Sequence, residues 1–570
     1  MDNEKVAAQH NGHRSVGYAT KFDQKAEELK AKKDQHGKGK KEKDDSQPAG
    51  GYDDTSVPPK PPGYTVKFTF HRATKLPMAD INSMSSDPYV LATLYTDLPT
   101  RHKQDPPMRF RTPTIRKNCD PEWNAEWIVA NVPASGFELK ARIYDEDLAD
   151  HDDRLGNVHV KVDSLGQNFQ GIKEQSYKIK KRMGSKRAYI IRGCAAMFSR
   201  GIRMSGTLVV SVEVLGKTDT DNCGRMWTIG PCNWSKHLSP MVGRLAGTKD
   251  IGKDGKTEKY SFQANQMQLA GPVPASLYHR YVEFRPFIKG MFTATSLRGR
   301  ILHRALHHQH NRIYNYDRDT IYGSFPAPSQ DMTLQFLDLV HYDKGGRIYT
   351  YVLTLDGQWR FTETGKEFGI DLLSKHTMHS DVKIYIAFSG EFFIRRSKTP
   401  HNEVSTPNLE ETHPPAEIEG GPPKNDPPKD PAYYTLVIDN DSGTYRPNAK
   451  KLSDLKEYMQ KNFPGIKIIT LDCIGDKDKM NRWKTEQRER KKAEGKGVVA
   501  VQGDSDSISS SDEEDLDDQQ REAEGGEKQG TKEKMMGKIE RPFDKIKEFR
   551  QGDRDREARE SADDVGASSQ

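Results

Sequence analysis

A chain of 570 residues with 89 Lys and Arg against 83 Asp and Glu has a net charge of only +6, so the overall balance selects no partner; the two signs sit in separate blocks, and local charge decides. Hydrophobic residues make up 34% and the mean hydropathy is −0.88, which leaves room for a few folded domains and a sizeable unfolded remainder. No run approaches the roughly 18 to 20 apolar residues that a bilayer crossing needs, and five scattered cysteines (Cys119, Cys194, Cys223, Cys232, Cys473) exclude a disulfide framework and point to a reducing compartment.

In chain order, Met1-Asp2-Asn3-Glu4 has neither a secretory apolar core nor a Gly for acylation, so a cytoplasmic chain touching membranes peripherally is expected. Residues 1–62 read as a disordered basic arm, because their Lys, Asp, Gly and Pro cannot bury enough surface to offset chain entropy. At Tyr64 the pattern switches to alternation, with Tyr64, Val66, Phe68 and Phe70 on one strand face. Further strands are predicted at residues 89–95, 123–129, 138–144, 157–162 and 207–215. Short strands separated by polar loops predict an antiparallel β-sandwich over 63–216.

Residues 217–400 read as an α+β domain, with a hairpin turning at Asp356-Gly357, a helix over 366–376 and a strand over 383–388. A Pro-rich linker, 401–430, follows. A strand at 433–438, a helix at 452–462 and a strand at 466–471 then form a βαβ unit (431–475) that completes the same domain. A charged helix is expected within 476–495, and 496–570 reads as a disordered acidic and basic tail. In that tail, residues 504–518 hold eight acidic residues and five serines, a composition suited to phosphorylation. Over 534–550, Met535, Ile539, Phe543, Ile546 and Phe549 alternate with lysines and arginines as an amphipathic segment, broken by Pro542.

The informative residues lie in two loops of the sandwich. Asp80 and Asp87 bracket the first. In the second, Asp145, Asp147 and Asp153 precede Leu155-Gly156. Calcium takes six to eight oxygens at roughly 2.3 to 2.6 Å, and carboxylates from two loops can supply that shell with lipid phosphate completing it. Without a cation, two carboxylates about 4 Å apart repel by about 4 kcal/mol at an effective dielectric near 20. The competing reading is a set of solvated acidic loops.

Here the chain resembles the C2 domain family of protein kinase C and the synaptotagmins. The motifs are Ser86-Asp87-Pro88-Tyr89-Val90, then Asn118-Cys119-Asp120-Pro121-Glu122-Trp123-Asn124 with Asp120 where the family has Asn, then the spaced Asp145, Asp147 and Asp153, then Leu155-Gly156. The resemblance implies that Asp80, Asp87, Asp145, Asp147 and Asp153 are Ca2+ ligands, and that the domain bridges calcium to anionic membrane phospholipids. Residues 217–475 resemble regions that follow C2 domains in fungal proteins, a resemblance with no activity attached.

Two features extend the expected membrane contact. Met78, Ile81, Met84 and Leu148 can dip into the head-group layer, or equally pack their own loops. Residues 178–203 carry nine cations, among them Lys180, Lys181, Arg182, Lys186 and Arg187, and no acid; each cation near an anionic leaflet is worth about 1 kcal/mol. A solvated loop is the alternative there.

Weaker signals remain. His303, His307, His308 and His310, with His376 and His379, suggest a metal only by spacing. Asp439 and Asp441 follow an apolar strand, as do the paired aspartates of magnesium-dependent phosphotransfer enzymes; a turn role is the simpler reading. No catalytic residue is assigned. Aromatics do not interleave with the basic stretches, so nucleic acid is not expected. The expected function is therefore calcium-dependent docking on membranes, as a trafficking or signalling adaptor. The rivals are a lipid- or phosphate-modifying enzyme targeted by the C2 domain, and a calcium-independent scaffold binding proteins, with protein partners reached through the α+β domain. Oligomeric state is not encoded in any pattern found.

Overall fold

The computed structural model describes residues 59–493 apart from 80–84, 102–104, 147–151, 167–168, 181–205, 220–223, 240–248, 252–256, 261, 281–312, 315, 317–318, 365–384, 398–399, 402–427 and 443–445. The acidic serine block, the 534–550 segment, most of the basic arm and linker, the 366–376 helix and the histidines named above all lie outside the described residues.

The alternating segments form two antiparallel sheets. The strands are β1 (Tyr64–Thr74), β2 (Pro88–Tyr95), β3 (Met108–Arg111), β4 (Glu122–Val132), β5 (Phe137–Asp145), β6 (Asp153–Val162), β7 (Ile172–Lys178), β8 (Thr207–Lys217) and β9 (Trp227–Gly230). They are ordered β7-β8-β1-β4-β9 in one sheet and β3-β2-β5-β6 in the other. Val66, Phe68 and Phe70 of β1 are fully buried, as their spacing required. Between the sheets Trp127 stacks on Phe110 at 5.6 Å and Phe68 meets the edge of Phe137 at 5.2 Å. Each such side chain contributes about 1.5–3 kcal/mol by leaving water.

Three of these strands are not among those read from sequence. β3 is four residues long, β7 is an exposed edge strand, and β9 joins β4 from beyond residue 216, so the sheet runs past the boundary read from sequence.

The chain then passes through Pro231 into a second unit built on a further, eight-stranded sheet. Its strands are β10 (Cys232–Ser239), β13 (Phe262–Gln268), β15 (Ile321–Phe325), β16 (Ile348–Leu353), β17 (Gln358–Thr364), β19 (Phe388–Arg396), β20 (Tyr434–Asp439) and β21 (Lys467–Leu471). Two small ribbons stand apart: β11 (Lys249–Ile251) with β12 (Thr257–Tyr260), and β14 (His279–Arg280) with β18 (Tyr385–Ile386). The main order is β15-β10-β13-β17-β16-β19-β20-β21, antiparallel except for the parallel β20–β21 pair. The Asp356-Gly357 hairpin joins β16 to β17, with Gly357 at φ +81°. The strand expected over 383–388 is met by the short β18 and by the start of β19, which runs on from Phe388 to Arg396.

Helices α1 (Gln330–Leu339), α2 (Leu452–Asn462) and α3 (Lys477–Ala493) pack on this sheet. Ser329 caps α1 by accepting a hydrogen bond from the Met332 amide at 3.1 Å. On one face, Phe336 of α1 and Leu455, Met459 and Phe463 cover Tyr351, Trp359, Phe361 and Phe392. On the other, Met480 and Trp483 of α3 cover Ile348, Phe393 and Val437. Strands β16, β19 and β20 are therefore buried along their whole length.

Ion pairs hold α3 down. Lys484 Nζ lies 2.6 Å from Asp439 and 2.7 Å from Glu391, Lys491 2.8 Å from Glu363, and Arg395 of β19 2.8 Å from Glu486. Arg490 and Arg396 share Asp343, at 3.4 and 3.2 Å. Gly346 permits the contact: at φ +55°, a Cβ there would sit 2.1 Å from the Gln487 carbonyl oxygen. A segment read as a charged helix following the domain is thus an integral layer of it.

Candidate functional site

The acidic loops meet because β2 and β5 are neighbours. Pro88, just after Asp87, is the register partner of Asp145, and Asp145 is the partner of Asp153 across the β5–β6 hairpin. Three strand ends thus bring Asp87, Asp145 and Asp153 to one rim. The loop carrying Asp80 and Ile81 leaves the same rim between Ala79 and Ser85, whose backbones are bonded at 3.1 Å. Ser86 reinforces that base, donating to the Pro77 carbonyl at 2.6 Å and accepting from the Ala79 amide at 3.0 Å. Asp80, Ile81, Met84, Asp147 and Leu148 lie outside the described residues, as do Lys181, Arg182, Lys186 and Arg187; Met78 is half-buried at the loop entrance. Lys180 is described, bridged through its backbone to Asn157.

The Asn118–Asn124 motif anchors the rim from behind. Asp120 accepts from the Lys75 amide at 2.8 Å, and the carbonyls of Cys119 and Pro121 accept from Leu76 and Ala73. The entrance to the first acidic loop is therefore pinned to the loop between β3 and β4. The substituted Asp120 carries that role through one carboxylate oxygen.

Asp87 and Asp145 are both buried. The Asp87 amide donates to Asp145 Oδ1 at 2.5 Å, while Asp87 Oδ1 accepts from the Lys117 amide at 2.7 Å. Asp87 Oδ2 lies 3.1 Å from Arg116 Nη1, and Arg116 Nη2 lies 2.5 Å from Glu146 Oε1. Glu146 is held from its other side by Arg111 at 2.7 Å and by the Thr114 hydroxyl. Burial works against the charge on Arg116, but Glu146 and Asp87 outweigh it and raise its pKa. Tyr89 donates to Asp152 at 2.5 Å; burial, helped by Asp152, pushes that hydroxyl up.

Arg111, Arg116 and Glu146 were not singled out by sequence. Glu146 sits inside an unbroken acidic run, Asp145 to Asp147, and nothing in the sequence distinguishes it from its neighbours. Arg111 is also stacked between two rings, 3.8 Å from the Tyr89 centroid and 3.7 Å from that of Tyr316, which precedes β15.

Asp87, Asp145 and Asp153 stand at three strand ends on one rim, carboxylates are the kind of donor a hard cation takes, and an oxygen of Asp87 already draws a positive group. They are not gathered into a closed set here. Among the described residues, no cluster of three or more His, Cys, Asp or Glu side chains is close enough to hold a metal.

The second acidic pair is differently placed. Asp439 is 2% exposed, and its carboxylate accepts from the Glu391 and Asp441 amides at 2.8 and 2.9 Å besides pairing with Lys484. Burial pushes its carboxyl up to about 6 despite the lysine. Asp441 pairs with Arg446 at 3.3 Å. A carboxylate sealed beneath α3 with its oxygens committed is a structural group.

Residues 64–179 match the family model described as the C2 domain. Protein C2-DOMAIN ABA-RELATED 6 of Arabidopsis thaliana is 29% identical over 98 residues, 17% of this chain and 49% of that protein. A probable ADP-ribosylation factor GTPase-activating protein of the same plant is 32% identical over 100 residues, 18% of this chain and 26% of that protein. The chain therefore spans half or less of the curated relatives it matches. Among solved structures, a single C2 domain of plant extended synaptotagmin 1 is matched over its full length, covering 28% of this chain, at 17% identity and a TM-score of 0.20.

Proposed function

We propose, from the premise that residues 64–179 of this chain are a C2 domain, that it docks reversibly on anionic membrane phospholipids and that calcium drives the docking. The observation that carries this reading is the convergence of Asp87, Asp145 and Asp153 at one rim of the sandwich. Asp80 and Asp147, on loops leaving that rim, complete the proposed ligand set. Bound calcium would turn an acidic tip electropositive towards lipid phosphate.

The chain's own residues do the rest. The Ser86 bonds close the base of the first acidic loop, the Asp120–Lys75 bond pins its entrance, and the Glu146 amide, donating to the Asp87 carbonyl at 3.0 Å, ties it to the second, which lowers the ordering cost of binding. Met78, Ile81, Met84 and Leu148 would add apolar burial, and Lys180, Lys181, Arg182, Lys186 and Arg187 would add about 1 kcal/mol each near an anionic leaflet. Among the described residues no helix is long and apolar enough to cross a membrane, which suits attachment from one side. The eight-stranded unit with its three described helices, an α+β domain in this reading, would present the docked chain to protein partners.

The test is co-sedimentation of the full chain with phosphatidylserine-containing or pure phosphatidylcholine vesicles, in calcium or chelator. Pelleting only with calcium and the anionic vesicles is expected. Equal pelleting in chelator would replace this reading with calcium-independent docking, and no pelleting in any arm would favour a protein-binding scaffold.

A further inference from the structure

We propose that Arg116 is a tethered counter-ion that competes with calcium for the acidic rim and so sets the ion affinity of the site. The proposal rests on the calcium reading above and adds to it a residue that weakens ion binding.

The placement of Arg116 is built into the backbone. Its neighbours are bonded to the β2 end of the rim: the Ile115 amide donates to the Pro88 carbonyl at 3.1 Å and the Asn118 amide to the Ser86 carbonyl at 2.8 Å. Lys117 adopts φ +52°, a left-handed conformation with a strain cost for a long side chain, and its amide thereby reaches Asp87 Oδ1 at 2.7 Å. With the chain fixed on both sides, the guanidinium spans Asp87 Oδ2 at 3.1 Å and Glu146 Oε1 at 2.5 Å.

Two asymmetries make this cation displaceable. The carboxylates are buried, with side-chain exposures of 5% for Asp87 and 1% for Glu146, whereas the Arg116 side chain is 35% exposed. Buried carboxylates need a cation, yet a half-exposed arginine can swing into water at small cost. Glu146 is also the better provided of the two acids, since Arg111 and Thr114 hold its other oxygen. Withdrawal of Arg116 thus mainly frees Asp87, one of the proposed calcium ligands. A divalent ion at the rim and a guanidinium on the same carboxylate repel, so occupancy by one disfavours the other.

The experiment is calorimetric titration of Ca2+ alone into the metal-free full-length chain, comparing wild type with Arg116→Gln. Loss of the competitor is expected to tighten binding roughly three- to tenfold, while the metal-free variant melts at a lower temperature than wild type and recovers that difference in saturating calcium. Arg116→Lys, which keeps the charge but not the two-pronged reach, is expected to fall between them, and it decides the matter should Arg116→Gln fail to fold. Unchanged or weaker binding in these variants, with wild type binding normally, overturns the proposal and leaves calcium docking intact. No heat in any of the proteins overturns both.

Discussion

The clusters around Lys484 and Arg116 each gather two buried carboxylates around one cation, and they differ in what surrounds them. Beneath α3, Asp439 and Glu391 share Lys484, whose side chain is 6% exposed, under Trp483 and Met480. At the C2 rim, Asp87 and Glu146 share Arg116, whose side chain faces water over a third of its surface. The first arrangement is sealed and every charge has a permanent partner; the second is open on one side. Electrostatics alone makes neither a binding site; in the proposed reading, access to a competing cation is what distinguishes the rim.

The largest effect should come from breaking the sealed cluster. Lys484→Met leaves two buried carboxylates uncompensated and is expected to destabilise the second unit by about 3–5 kcal/mol, read as an earlier urea transition. A loss below about 1 kcal/mol would mean that the cluster is as open as the rim. At the rim the same kind of change should act on binding instead. Asp145→Asn with Asp147→Asn is expected to weaken calcium-dependent vesicle binding by roughly a hundredfold, with the metal-free melting temperature close to that of wild type. Unaltered pelleting would remove the calcium reading.

Gly346→Ala probes how closely α3 is seated. A methyl at φ +55°, aimed at the Gln487 carbonyl, is expected to cost about 1–3 kcal/mol and to raise hydrogen exchange along α3. Normal protection would show that the helix has slack.

The smallest effect concerns pH. Burial pushes the Glu363 carboxyl up, but Arg347 and Lys491 together outweigh it and hold the group below its ordinary value. An acid with a lowered folded-state pKa contributes stability that is present above its unfolded value, about 4.3, and is lost as pH falls through the folded one. Glu363→Gln should therefore flatten part of the acid limb of the stability curve and change little at pH 7 beyond the lost ion pairs. An unchanged acid limb would contradict the assignment.

The sandwich was legible where its strands have one wet face, as β5 does throughout: the Tyr64–Phe70 alternation marks a strand as soon as it is read. The spacing of the aspartates around strand ends also survives in one dimension, and of the five expected ligands the structure sets Asp87, Asp145 and Asp153 at one rim. β16, β19 and β20 give a weaker signal. They are buried on both faces, and residues such as Thr350, Glu391, Thr435 and Asp439 are covered by α3 or its neighbours, so polar letters stand at interior positions. α3 was legible as a charged helix, but not its place: its charges meet complementary charges on the sheet. Arg116 was invisible because pairing across thirty residues has no sequence pattern.

Sequence by itself determined the likeness to the C2 family and the positions of most of its strands, because these depend on local alternation and on motif spacing. Tertiary structure alone decided that β2 and β5 bring Asp87 against Asp145, that Arg116 occupies the carboxylates at that rim, and that α3 belongs to the core of the second unit. Each of these is a contact between distant segments, and such contacts are fixed by packing and charge complementarity in three dimensions.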